Sequence, residues 1–264
     1  MELPSGYTHI ALEKVGSTNE EAARFLEEGA ATDHTVITAK EQVKGRGRGA
    51  RTWSSPPGNL YATLVLTPER AESEWPHLCF VLSLAIAETL KIILRNKAQL
   101  HVKWPNDVLV GGRKICGILL ETHQTKAGKK VMLVGFGVNC RHHPEGGLFP
   151  ATDLVFEGVS QSNATPEVIL AFILQQFEPL YQNWLTLGLK NIRPAWLNLA
   201  KNLGETITIR VSDFLPGGGK ICGTFLDVDE ESGALLLKEE DGLVHRITHG
   251  DVFFQDKPEK DKAV

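Results

Sequence analysis

The chain is short of several things that would mark other kinds of protein. Its four cysteines, Cys79, Cys116, Cys140 and Cys222, are spread across 264 residues and never form a CxxC pair. That spacing argues against a disulfide framework or a cysteine zinc site and fits reduced, mostly buried thiols. Cations are not in excess: 28 Lys and Arg stand against 32 Asp and Glu, for a net charge of -4. Bulk charge therefore does not favour nucleic acid as a partner. No apolar run approaches the roughly 20 residues needed to cross a bilayer. Residues Met1 to Gly6 lack the basic flank and apolar core of a signal peptide. These absences predict a cytoplasmic protein. Internal repeats and low-complexity segments are missing too.

What is present is a globular composition, 42% hydrophobic and 23% charged, in a chain long enough for one large domain and a smaller partner. The pattern predicts a strand over Tyr7 to Val15 and a helix over about Asn19 to Glu28. Ser17 and Thr18 are placed to cap that helix, with Glu20 or Glu21 completing a capping box and Gly29 ending it. Strands are predicted over His34 to Lys40, Leu60 to Thr67, Leu100 to Trp104, Asp107 to Val110, Lys114 to Thr122 and Lys130 to Cys140, with Gly111-Gly112 as a hairpin turn. Pro76 to about Arg95 reads as a buried helix. Thr165-Pro166 opens a helical region reaching about Ala200, which Pro179 is expected to kink or divide and Gly188 to interrupt. Short strands follow at Glu205 to Val211, Lys220 to Val228, Ala234 to Lys238 and Leu243 to Ile247.

Several segments have the residue types of a binding site. Gly45-Arg46-Gly47-Arg48-Gly49-Ala50-Arg51-Thr52-Trp53 alternates the most permissive backbone with a persistently charged, fork-shaped donor. It suits a mobile loop over an anionic ligand, a plain connector, or a nucleic-acid patch. Lys103-Trp104-Pro105-Asn106-Asp107 lies at a strand end, where polar groups can reach a cleft; the alternative is a proline turn with solvated charges. In the strand after Gly112, alternation predicts Lys114 and Cys116 on one face and Arg113 and Ile115 on the other. Lys114 there can deliver positive charge to a carboxylate or phosphate, or be an ordinary hairpin lysine. Gly135 and Gly137 share a strand face, forming either a floor for a flat ring with Asn139 at its edge or two bulges. Neither His142-His143 nor His245 and His249 has a spacing that aligns two rings on one metal.

Taken together, Ser17-Thr18-Asn19, Gln42 ahead of GRGR, Arg51, Trp53, Lys103-Trp104-Pro105-Asn106-Asp107, Lys114 with Gly117, and Gly135-Phe136-Gly137-Val138-Asn139 follow an order that resembles biotin protein ligases. The resemblance is strong over about Ser17 to Leu154. It implies an α+β fold: a mixed-sheet catalytic domain of the biotin/lipoate ligase type over 1–203 with helices packed on it. A small SH3-like β-barrel would occupy 204–256, with a charged tail over 257–264. The implied activity has two steps, formation of biotinyl-5'-AMP from biotin and ATP, then transfer to a lysine of a biotin carboxyl carrier protein.

The resemblance also implies roles. Lys114, Arg48 and Asp107 would be catalytic. Ser17, Thr18, Asn19, Gln42, Gly45, Arg46, Gly47, Arg48, Lys114 and Gly117 would bind biotin. Arg48, Arg51, Trp53, Lys103, Asn106, Gly135, Gly137 and Asn139 would bind the nucleotide. Magnesium would be carried mainly by the ATP phosphates rather than by direct protein ligands, with Asp107 as a supporting group. Some family members repress transcription through an N-terminal DNA-binding domain, and the ligase signature here starts at Ser17, which leaves no room for one. A homodimer is compatible with the family. Asp153 stands where the family element has serine, which puts local contacts there in question. A lipoate ligase, an RNA-binding module using the Gly/Arg run, and a non-catalytic vitamin-binding protein are the competing readings.

Overall fold

Strand Leu60–Leu66 is buried at all seven positions, as a central strand covered on both faces must be. A computed structural model of the chain describes residues 3–49, 51–95, 98–146, 149–210 and 219–254. It places that strand, β3, within a seven-stranded sheet. The others are β1 (Thr8–Val15), β2 (Thr35–Gln42), β4 (Leu100–Lys103), β5 (Asp107–Val110), β6 (Arg113–Gln124) and β7 (Lys130–Val138), in the order β1-β2-β3-β7-β6-β5-β4. Only the β1–β2 pair is parallel; the remaining neighbours are antiparallel, which makes the sheet mixed.

Alternation along β7 assigns the two faces. Met132, Val134, Phe136 and Val138 enter the main core, whereas Val131 and Leu133 pack with Ala22 and Ile37 under helix α1 (Thr18–Glu27). Gly135 and Gly137 continue that face, Gly135 under Asn19 of α1 and Gly137 under Trp53. The main-core face is covered by α2 (Leu78–Ile93), α3 (Pro166–Leu187) and α4 (Leu189–Leu197). Helix α2 has buried residues almost all round. With the 3₁₀ turn Glu72–His77 before it, α2 forms a span that is long and apolar enough to cross a membrane by length and composition. That span is mostly buried against the rest of the protein. The sequence pattern missed this span because Glu72 and Glu74 precede its apolar run and Glu88 and Lys91 interrupt it near the end.

A second, five-stranded antiparallel sheet comprises β8 (Thr206–Arg210), β9 (Lys220–Val228), β10 (Leu235–Lys238), β11 (Val244–Ile247) and β12 (Asp251–Phe254), in the order β11-β10-β9-β8-β12. Strand β12, Asp-Val-Phe-Phe, is absent from the sequence expectations. The residues 211–218 and the tail 257–264 lie outside the described residues. The two sheets share a core: Ile207, Phe225 and Leu235 join the main cluster. Trp104 donates its indole N–H to the Gly233 carbonyl at 3.1 Å. Arg193 donates to the Val228 carbonyl at 2.6 Å and pairs with Asp227.

Three local expectations are corrected. Helix α3 is not divided at Pro179, while Gly188, at φ 71°, ends it as expected. The predicted helix from Pro76 starts as a 3₁₀ turn at Glu72 and becomes α-helical only at Leu78. No capping box forms at Ser17, whose side chain makes no cap hydrogen bond. The first amide of α1, that of Thr18, is met instead by Gln42 Oε1 at 2.8 Å.

Candidate active site

The Gly/Arg segment leaves β2 and folds back on itself. Trp53 N–H donates to the Gly45 carbonyl at 2.9 Å, and Gly47 N–H to the Arg51 carbonyl at 2.7 Å. Gly45 has no room for a side chain, because a Cβ there would collide with the Trp53 carbonyl and Ser55. The loop thus lies across the α1 face of the sheet, above Gly117 and Gly137. Gly135, expected to share a floor for a flat ring with Gly137, lies under the Asn19 amide instead. Gly117 and Gly137 are directly paired across β6 and β7 and lie under a flat ring. The ring that rests there is the indole of Trp53: a Cβ on Gly117 would come within 2.9 Å of it, and one on Gly137 within 2.5 Å. The indole N–H is buried there without a hydrogen-bond partner.

Lys114 reaches the same floor through a break in alternation. Between β5 and β6, Leu109 faces Lys114 while Val108 faces Cys116, so Ile115 is an extra residue in the ladder. A bulge of this kind shifts side-chain parity by one. The expectation that Lys114 and Cys116 share a face is therefore wrong. Cys116 joins the core, and Lys114 joins Asp107 and Gly117. Lys114 Nζ lies 2.5 Å from Asp107 Oδ1 and 5.2 Å from the Trp53 ring centroid.

The Lys-Trp-Pro-Asn-Asp turn supplies the rest of one wall. Asn106 donates its amide to the Ile118 carbonyl at 2.7 Å, which turns its oxygen toward Arg48 at 3.4 Å. Burial lowers the Arg48 pKa from its ordinary value, with Asp251 opposing the shift, so this guanidinium gains from an anion. Lys103 is buried, with Nζ 3.3 Å from the Phe149 ring centroid. Burial pulls its pKa down to about 8, and Asp107 partly offsets that. Asn139 spends its side-chain donor on the Thr152 carbonyl at 3.0 Å, so it braces the chain after β7 as well as edging the cavity.

All the residues to which the resemblance gives a role, except Gly45, line one cavity of about 290 Å³. Its ionisable lining is Arg46, Arg48, Arg51, Lys103 and Lys114 against Asp107 and Asp251, a balance that favours an anionic ligand. Sequence reasoning missed Asp251, which comes from the second sheet and holds Arg51 at 2.8 Å. It also missed Gly250, whose carbonyl accepts from Arg48 at 3.3 Å, along with Thr63, Ser55 and Glu121 beneath the loop. Only Thr63 left a signal, as a hydroxyl inside an apolar strand. Asp153, the departure noted above, has a local partner in His143 at 2.6 Å. Among the described residues no three His, Cys, Asp or Glu side chains converge as a metal cage. The two carboxylates at the cavity are each engaged by a cation. That arrangement fits a magnesium ion arriving on a ligand's phosphates.

Fold and site together combine a mixed sheet with an arginine-bearing loop that folds over a pair of glycines beside a cation-rich cavity. The Biotin/lipoate A/B protein ligase family matches residues 12–139, and the Biotin protein ligase C terminal domain matches 203–255. The chain is 37% identical over 246 residues to the biotin–[acetyl-CoA-carboxylase] ligase of Paracoccus denitrificans, covering 92% of this chain and 99% of that one. It is 30% identical to the bifunctional ligase/repressor BirA of Bacillus subtilis, over 89% of this chain and 71% of that protein. The biotin protein ligase of Aquifex aeolicus, solved with biotin and ATP, superposes with a TM-score of 0.75 at 28% identity, over 93% and 97% of the two chains. The chain belongs to the biotin protein ligase family.

Proposed function

We propose that this protein activates biotin as biotinyl-5'-AMP and transfers it to a lysine of a biotin carboxyl carrier protein. The observation that carries the reading is the convergence of Lys114, Arg48 and the Gln42–Thr18 pair on one cavity. In the first step a biotin carboxylate oxygen attacks the α-phosphorus of ATP, and the bond to pyrophosphate breaks. In the second, the carrier amine attacks the acyl carbon, loses a proton, and AMP leaves. Both steps bring negative groups together, so positioning and charge stabilisation supply most of the catalysis.

Lys114 is assigned to the charge that develops between carboxylate and α-phosphate, with Asp107 holding its ammonium in place. Arg48 and Arg51 take phosphate oxygens, and Lys103, Asn106 and Asn139 take other nucleotide groups. Ser17, Thr18, Asn19 and Gln42, with backbone from Gly45 to Gly47, take the ureido ring. Trp53 leaves the glycine floor when ligand enters and covers the adenylate, keeping water from the mixed anhydride. Magnesium neutralises the triphosphate when bound with it. A cytoplasmic setting agrees with the cysteine usage, and β1 leaves a sheet edge through which two copies can pair, the β4 edge being bridged by Leu199 to Lys201.

The test is incubation with ATP, magnesium, biotin and a carrier domain, followed by mass analysis. The expected result is a biotin increment on one lysine. Exchange of ATP with pyrophosphate that responds to lipoate and not to biotin would overturn the reading in favour of lipoate activation.

A further inference from the structure

Beneath the loop lies a carboxylate outside the cavity lining that bonds to two groups within it. Glu121, on β6, accepts from Asn19 Nδ2 at 2.6 Å and from Arg46 Nη2 at 2.9 Å through the same oxygen, Oε2. Asn19 belongs to the first turn of α1, and Arg46 belongs to the Gly/Arg loop. A single carboxylate oxygen therefore ties the helix that faces the cavity to the loop that covers it.

The Asn19 amide is held from every side. Its Oδ1 accepts from Thr63 Oγ1 at 2.5 Å, and its underside rests where Gly135 has no Cβ. An amide oxygen cannot donate, so the single Thr63 proton is committed to Asn19. The Thr18 hydroxyl then donates its own single proton to Thr63 Oγ1 at 2.8 Å, and Gln42 Oε1 accepts from the Thr18 backbone N–H at 2.8 Å. Gln42 passes on to Ser55 at 3.0 Å, and Ser55 donates to the Trp53 carbonyl at 2.9 Å. The chain of bonds thus starts on the loop at Arg46, crosses Glu121, Asn19, Thr63, Thr18, Gln42 and Ser55, and returns to the loop at Trp53. Glu121 is its one charged acceptor. It is also the member that touches the loop through a side chain able to let go.

We propose that Glu121 is a positioning residue that couples loop closure to recognition of the ureido end of biotin, a proposal that rests on the functional reading above. It fixes the Asn19 amide with its nitrogen toward β6. When Arg46 docks, the charge-assisted bond to Glu121 seats the loop on an already oriented polar row. Bonds of this kind are shorter and stronger than neutral ones.

The experiment compares Glu121→Ala and Glu121→Gln with the wild-type full chain. The readouts are biotin-dependent ATP–pyrophosphate exchange, the rate of tryptic cleavage within the loop without ligand, and the melting temperature. For Glu121→Ala the expected result is a rise in KM for biotin of roughly tenfold, the size of one lost charged hydrogen bond. The KM for ATP should change by less than about twofold, and loop cleavage should be faster. Glu121→Gln keeps an acceptor for Asn19 and loses the charge facing Arg46, so it should restore most of the biotin KM while cleavage stays fast. In Arg46→Ala/Glu121→Ala, cleavage after Arg48 should be no faster than in either single variant.

Wild-type biotin KM and cleavage in Glu121→Ala would overturn the proposal. So would equal rises in both KM values with a lower melting temperature, the mark of a general structural role. A wild-type protein with no biotin-dependent exchange would instead overturn the functional reading. The cleavage arm, which needs no substrate, would then decide the tether by itself.

Discussion

Lys114 Nζ sits 2.5 Å from Asp107 Oδ1 because Ile115 is an extra residue in the β5–β6 ladder. Without that bulge, simple alternation would turn the lysine toward the buried core. With it, the ammonium lies among the cavity's polar groups and beside a carboxylate that holds its position.

Replacing that ammonium should therefore remove chemistry more than folding. Lys114→Ala is expected to cut the rate of biotinyl-5'-AMP formation by roughly a hundred- to a thousandfold, the range seen when one preorganised charge-stabilising donor is lost. Rapid quench with chromatography of the adenylate measures it. A wild-type yield in a folded variant would sink the assignment of Lys114.

Arg48 is placed to retain the intermediate. It bridges the loop to the Gly250 carbonyl and to Asn106 at 3.3 and 3.4 Å, long contacts that leave capacity for an anion. Arg48→Gly should speed release of the adenylate by about tenfold or more, since one charged contact of this kind is worth about a factor of ten. A filter-retention assay with labelled biotin reports the release rate, and an unchanged rate counts against the role.

Lys103 gives a pH dependence with a definite sign. Its pKa falls from the ordinary 10.5 to about 8 in the folded protein, chiefly through burial. Between those values the unfolded chain holds a proton that the folded one has lost, so stability rises with pH across that window. Below about 8 both states are protonated, and the penalty of burying the charge is fully present. Urea melts from pH 7.5 to 10.5 should show this rise in the wild type and lose it in Lys103→Met. In the same interval kcat/KM for ATP should fall, as the free site loses a cation that the phosphates attract. A flat profile for both would remove Lys103 from the nucleotide site.

The glycine floor predicts a steric effect. In Gly137→Ala the new methyl would sit 2.5 Å from Trp53 Nε1, so the indole must leave its resting place. Overpacking of this sort costs about 1–3 kcal/mol. The variant should show Trp53 emission shifted toward that of an exposed indole before any ligand is added, together with a raised KM for biotin. Emission and KM like those of the wild type would mean that the floor has more room than the geometry allows.

Much of this site was legible in the chain because its residues are local in sequence. GRGR with Trp53, the Lys-Trp-Pro-Asn-Asp turn, and Gly135 with Gly137 each carry their chemistry within a few positions. Strand and helix periodicity then placed them on one sheet. Asp251 was not legible, because it stands about 200 residues from its partner Arg51, on a strand of the second sheet. Glu121 was hidden for another reason: in a strand of mixed burial an isolated glutamate looks like any solvated charge.

The amino-acid sequence by itself determined the residue types, the Gly/Arg segment and the family. These follow from composition and short-range order, which survive without knowing what packs on what. Only the tertiary structure decided which face Lys114 takes, where Trp53 rests, and what holds the loop from below and from the second sheet. A bulge changes parity without changing composition, and a contact between distant residues exists only once the sheets have closed around a common core.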